Sequence, residues 1–218
     1  MAGGYRNHGY RQGAQDQALQ AEAALRKAIA YTTRGITLHT RGYGAHDFGL
    51  VYGYNELVGL YCALDEYGHA EAALRQALAL CEQVLGPEHP RLARMLFDLG
   101  WLYGLLKRLP EAEQAFRRAL QMAERVYGPD DPELLPHLSN LAAFYLAQQR
   151  VAEAETLSRR EVTIFQQTFG PEHPHIAPAL TSLAALCREQ HRYSEAEQLA
   201  QAAVAIWEKA LGPRIPMW

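Results

Sequence analysis

Three residue sets in this 218-residue chain carry groups able to do chemistry: the thiols of Cys62, Cys81 and Cys187, the imidazoles flanking Pro174 at His173 and His175, and recurrent carboxylates. The carboxylates fall in EAEQAF from Glu111, EAETLS from Glu153 and EAEQLA from Glu195. Thiolates and imidazoles would ligate a metal, and paired carboxylates would serve general acid–base catalysis. Their spacing favours neither. An odd number of cysteines at wide intervals fits no disulfide framework and no four-ligand zinc site, so a reducing compartment is the simpler reading. The imidazoles of His89 and His173 occupy equivalent linker positions and read as structural, with metal binding as the alternative, and no carboxylate or Cys cluster converges in sequence on the His173 and His175 pair. Glu111, Glu153 and Glu195 open predicted helices, where solvated acidic side chains favour the helix dipole. A phosphate-binding glycine loop, an HExxH motif and a serine nucleophile elbow are all missing. The reading is a protein that is not an enzyme and needs no cofactor or metal.

Composition bounds the alternatives. Hydrophobic residues make up 49% of the chain, enough to bury a core, and the net charge of −3 gives no general attraction to nucleic acid or anionic lipid. The apolar run at 99–106 is far short of the ~18 residues a membrane span needs, and the N-terminus has no apolar leader. A soluble cytoplasmic protein is expected.

The elements that must position these residues recur. LGPEHP from Leu85, YGPDDP from Tyr127, FGPEHP from Phe169 and LGPRIP from Leu211 are spaced by 42 residues. In phase with them run DLGWLY from Asp98, NLAAFY from Asn140 and SLAALC from Ser182, with ELVGLY from Glu56 one step earlier. HAEAAL from His69 is a weaker first copy of the EAE series. Each repeat reads as two amphipathic helices. In the second, Leu96, Leu99, Gly100 and Tyr103 make an apolar stripe on a first helix, and Ala112, Phe116, Ala119 and Leu120 make the facing stripe on a second. Gly86, Gly128 and Gly170 read as helix stops. Pro90, Pro132 and Pro174 read as helix starts, each capped by the acidic or His residue before it.

On these residues the chain resembles the tetratricopeptide repeat (TPR) family, of the 42-residue kinesin-light-chain type. The signature first-helix positions are Leu57, Val58 and Tyr61; Leu99, Gly100 and Tyr103; Leu141, Ala142 and Tyr145; and Leu183, Ala184 and Cys187. The second-helix alanine recurs as Ala70, Ala112, Ala154 and Ala196. The resemblance implies an all-α, right-handed superhelical solenoid of antiparallel helix pairs. Departures are Val58 for a small residue, Cys187 for Tyr, and Ser158 with Glu161 where the third repeat should carry a bulky apolar residue and Ala. Looser or rearranged packing is expected there.

The expected organisation is a disordered basic arm at 1–13, a capping helix or degenerate half-repeat at 14–48, repeats at 49–90, 91–132 and 133–174, and a fourth repeat with a tail at 175–218. The capping helix is placed at about 16–39. EAALR from Glu22 lies 49 residues before EAALR from Glu71, so two extra helical turns or an interruption near 32–35 separates them.

First helices of stacked pairs line the usual binding face. Phe97, Trp101 and Leu105 form a second apolar stripe there, between the small residues Gly59 and Ala63 of the preceding repeat and Ala143 and Ala147 of the following one. Either these rings anchor a partner segment, or Trp101 simply fills the space its small neighbours leave. The candidate groove comprises Tyr52, Asn55, Arg94, Phe97, Trp101, Leu105, Ser139, Ala143, Leu146, Thr181 and Arg188. Family members that clamp a carboxylate use basic and amide side chains on first helices; Arg94 and Arg188 are candidates, but Asn55 is nearly the sole amide, which argues against such a clamp. The function read from this is a protein-interaction scaffold or adaptor for a segment with an apolar or aromatic anchor. The alternatives are a peptide-responsive sensor and a homo-oligomeric module using the array ends, where Val204, Ile206 and Trp207 lack a polar cap. Through Arg41 the chain carries +4, leaving −7 for the rest, yet the arm with Tyr5, Arg6, Tyr10 and Arg11 reads as a solvated tail and not a nucleic-acid contact.

Overall fold

In the computed structural model, which describes the backbone of residues 3–212 and the side chains of residues 17–212, the period of 42 is a period of backbone conformation. Gly44, Gly86, Gly128, Gly170 and Gly212 all take φ between 72 and 101°, a region that side-chain-bearing residues rarely enter, and the last four each stop a helix as the spacing predicts. A second series is left-handed without glycine: Asp65, Lys107, Gln149 and His191 have φ of 56, 59, 61 and 60°. These residues turn the chain inside each helix pair.

Among the described residues all regular structure is helical: α1 (Gly3–Tyr43), α2 (Gly49–Ala63), α3 (Tyr67–Leu85), α4 (Pro90–Leu105), α5 (Leu109–Tyr127), α6 (Leu135–Ala147), α7 (Val151–Phe169), α8 (Ile176–Glu189) and α9 (Tyr193–Leu211). The fold is the all-α class of paired antiparallel helices. Caps recur with the period: Asp47, His89, Asp131 and His173 accept a hydrogen bond from the backbone N–H two residues on. His89 and His173 are therefore capping groups, which gives their equivalence a structural cause. Two predicted starts are shifted. Pro132 opens a 3-10 turn, Pro132–Leu134, and Pro174 lies two residues before α8. In both places a backbone bond from residue i+3 to the cap residue's carbonyl forms before α-helical bonding begins. Helix α1 runs unbroken through residues 32–35, so extra turns account for the 49-residue spacing. Helix α1 also takes in residues 3–13, where a disordered arm is expected from the sequence, and the tail at 213–218 lies outside the described residues.

The chain forms two compact units, Met1–Ala112 and Glu113–Trp218. In the first, α1 packs on α2, α2 on α3 and α3 on α4. Helices α1 and α2 approach through glycine: a Cβ on Gly53 would meet the Ile36 side chain at 2.7 Å, and one on Gly49 would meet His39 at 2.7 Å. The expected stripe of Leu96, Leu99, Gly100 and Tyr103 is buried. In the second unit α6 pairs with α7, α7 with α8 and α8 with α9. Val162, Ile176, Leu180, Leu183, Ala203 and Ile206 form its core, and Cys187 sits fully buried among them at the position of the missing Tyr.

The EAE segments are not simply solvated helix starts. Their first glutamates behave as read, each pairing three residues away: Arg108 with Glu111, Arg150 with Glu153 and Arg192 with Glu195. The carboxylate two residues on in the segments at 111 and 153, and Glu71 of the first, weaker copy, are each drawn inward by an arginine 37 residues later. Arg108 Nη1 donates to Glu71 at 3.0 and 3.1 Å, Arg150 Nη1 to Glu113 at 2.5 Å, and Arg192 Nη1 to Glu155 at 2.7 and 2.8 Å. Glu71 and Glu155 are consequently only 6% and 8% exposed. The signature Tyr completes the strap, its ring lying 4.6 Å from Arg108 at Tyr103 and 4.2 Å from Arg150 at Tyr145. Where Cys187 replaces Tyr, Gln190 donates to Glu155 at 2.6 Å instead. At the first pair the polarity is reversed: Glu66 stands in the arginine position and accepts from Arg26 of α1 at 3.0 Å.

Candidate functional site

In the first unit the predicted groove residues lie on α2 and α4. Trp101 leaves 50% of its surface exposed, Phe97 and Leu105 are half-buried, and Asn55 is half-buried on α2. The ring of Tyr52 meets Phe48 edge-on at 5.7 Å and lies 4.8 Å from the Arg91 guanidinium, so it braces the start of α2. Arg94 is exposed and reaches Asp98 at 3.4 Å, one turn along its own helix. Burial pushes the Asp98 carboxyl up, against the pull of Arg94. An exposed indole beside a half-buried carboxylate is a wall suited to an apolar anchor with a polar flank.

In the second unit the structure brings Ser139, Ala143 and Leu146 together around a cavity of about 330 Å³ between α6 and α8, floored by α7. Thr181 and Arg188 are not among its lining residues. Thr181 Oγ1 donates back to Ala177 O at 2.9 Å, and Arg188 is exposed in the last turn of α8. From α8 the cavity is lined instead by Pro178, Ala179, Ser182, Ala185 and Leu186.

The cavity exists because of the departure noted in the sequence. The places filled by Phe116 and Ala119 in the second repeat hold Ser158 and Glu161 in the third, and both line the void. Removing an aromatic ring leaves space, and adding a carboxylate makes its floor polar. Ser139 Oγ lies 2.5 Å from Glu161 Oε1 and 2.9 Å from Leu135 O. A hydroxyl has one proton and cannot fully serve two acceptors. The Glu161 carboxyl sits in this partly buried place with the Ser139 hydroxyl as its hydrogen-bond partner. Burial accordingly pushes the Glu161 carboxyl up, more than the Ser139 bond pulls it down. The sequence marks Glu161 only as a packing misfit; its place on the cavity floor depends on the fold.

A second cavity, about 390 Å³, lies among α5, α6 and α7. Its charges are already matched: Arg150 to Glu113 and Glu153, and Glu124 to Arg160. No group of three or more His, Cys, Asp or Glu side chains that could hold a metal gathers among the described residues. No described helix is long and apolar enough to cross a membrane.

Paired helices with a 42-residue register, left-handed turns inside each pair and straps between successive pairs define a helical-repeat protein. The tetratricopeptide repeat model matches residues 50–125 and 133–209, and the chain belongs to that family. Its repeats are a protein-interaction fold. Among solved structures it is similar to BtubC (BKLC) from P. vanneervenii, with a TM-score of 0.73, 20% identity, and 91% of this chain and 79% of that one covered. It is similar also to a putative kinesin light chain with nearly identical TPR-like repeats from Podosopora anserina, with a TM-score of 0.72, 21% identity, and 94% and 97% covered. The apo form of RapI matches with a TM-score of 0.67 at 13% identity, covering 85% of this chain and 65% of that one. At these identities the likeness is one of fold. No curated protein matches the sequence.

Proposed function

We propose that this protein is a non-catalytic adaptor that holds a segment of another protein against its first-helix faces. The observation that carries the reading is Trp101, a large aromatic left 50% exposed on α4 in a family of protein-binding repeats. Burying an indole against a partner removes a large apolar area from water, and such residues dominate interface energetics. Arg94 and Asn55 flank it as polar contacts, and the carboxylate-clamp variant is disfavoured by the pairing of Arg94 with Asp98. The three cysteines are free thiols, two of them buried, which supports a reducing, cytoplasmic setting.

The test is affinity capture from native lysate with wild type and Trp101→Ala in parallel, followed by measured binding of the retained partner. Trp101→Ala is expected to weaken binding at least tenfold while circular dichroism stays at the wild-type level. Equal binding by both proteins would remove the proposed docking place. A second reading, self-association, is favoured by Val204 and Leu211 of α9, which are 53% and 62% exposed beside a partly exposed Trp207.

A further inference from the structure

The cavity of the second unit has a chemical character that the adaptor reading does not specify. Its walls are Ala142, Ala143, Leu146, Ala179, Ala185 and Leu186, and its floor carries Glu161. The basic groups nearest in sequence are committed elsewhere. Arg159 pairs with Glu155 and Glu195, while Arg160 bonds Glu124 and the Pro129 carbonyl. On α6 the group facing Glu161 is the Ser139 hydroxyl, and the residues that α8 contributes, Pro178, Ala179, Ser182, Ala185 and Leu186, carry no charge. The one ionisable group among the lining residues is therefore a carboxyl whose charge no lining cation matches.

We propose that this cavity receives a lysine side chain of the bound segment, with its ammonium on Glu161 and its methylene stem against the alanine and leucine walls. The inference rests on the adaptor reading and adds the chemistry of one anchor. Charge complementarity selects a cation, because an ammonium converts a costly half-buried carboxylate into a hydrogen-bonded ion pair. An apolar sleeve above a polar floor fits a side chain that is aliphatic along its length and charged at its tip. Lysine is preferred over arginine because Oε1 of Glu161 is already occupied by Ser139, leaving one carboxylate oxygen where a guanidinium fork needs two. The hydroxyls of Ser158 and Ser182 line the same cavity and provide further acceptors for an ammonium's three protons. About 330 Å³ is at the low end for ligand sites, which suits one side chain.

The test uses the full chain and two probes. N-acetyl-lysine methylamide, with its arginine and norleucine counterparts, is titrated into labelled protein and followed by amide NMR. A randomised peptide display library is then selected on the same protein. The variants are Glu161→Gln, which removes the charge at constant shape, and Ser158→Phe, which restores the ring found at Phe116 and fills the cavity. The expected result is shifts at Ser139, Ser158 and Ser182 with the lysine probe. Binding should be at least tenfold weaker for norleucine and in Glu161→Gln, several-fold weaker for arginine, and abolished in Ser158→Phe. The library should enrich lysine at one position on wild type only. Equal binding of norleucine, arginine preferred over lysine, or unchanged binding in Glu161→Gln would overturn the proposal. Should the library be retained without lysine preference, this inference fails and the adaptor reading stands. Should no peptide be retained, the adaptor reading fails first and takes this one with it. If Ser158→Phe does not fold, Glu161→Gln alone decides.

Discussion

Glu155 and Glu161 sit six residues apart on α7 and are driven in opposite directions. Burial raises Glu155, but hydrogen bonds from Arg192, Gln190 and Arg159 outweigh it and bring the carboxyl to about 2. A carboxylate held below its unfolded value contributes stability that is fully present above that value, near 4.5, and is lost as pH falls toward 2. The contribution at neutral pH is about 3 kcal/mol. Chemical denaturation of Glu155→Gln between pH 7 and pH 2 should show this loss already at pH 7 and a flatter acid limb; a wild-type limb would remove the strap's assigned role. Glu161 runs the other way. A carboxyl whose folded value is raised destabilises the native state as pH rises past its unfolded value, so Glu161→Gln should be stabilising at pH 7, with the gain vanishing in acid. A thermal midpoint at pH 7 no higher than wild type would contradict it. Both residues were visible in the sequence as glutamates at helical spacing. Their opposite environments were not, because the partners lie 37 residues away in one case and across a helix pair in the other.

At the scale of elements, the two kinds of left-handed turn make a paired prediction. Gln149 holds φ 61° with a side chain, at a cost glycine does not incur, whereas Gly128 at φ 101° cannot accept one without strain. Gln149→Gly should raise the midpoint of thermal unfolding by an amount worth about 0.5 kcal/mol, and Gly128→Ala should lower it by about 1 kcal/mol or more. Equal effects at both sites would show that the turns are not strained as described. The glycine stops and the helix count were legible in advance because a left-handed C-cap and an apolar stripe are local demands on sequence. The second series, Asp65, Lys107, Gln149 and His191, escaped notice since four unrelated residue types carry no compositional signal.

At the scale of the molecule, α9 makes the self-association reading measurable. Val204, Trp207 and Leu211 leave apolar surface open on the described part of the helix. Light scattering across a hundredfold range of concentration should show a mass that rises toward a dimer, and Trp207→Ser should hold it at the monomer. A constant monomer mass for wild type would dispose of this reading and leave the adaptor function untouched. The same experiment bears on Trp101, since Trp101→Ala should not change the mass.

The amino-acid sequence by itself determined the repeat length, the helix pairing, the capping residues and the family, since all of these follow from short-range periodicity and backbone preference. It marked Ser158 and Glu161 as misfits but said nothing of what the misfit creates. Tertiary structure decided that Glu71, Glu113 and Glu155 are each strapped by an arginine of the following turn between helices, and that the vacancy left by a missing ring opens beside a carboxyl. Such features depend on which side chains meet across helices, and a one-dimensional pattern records the faces of a helix without recording what stands opposite them.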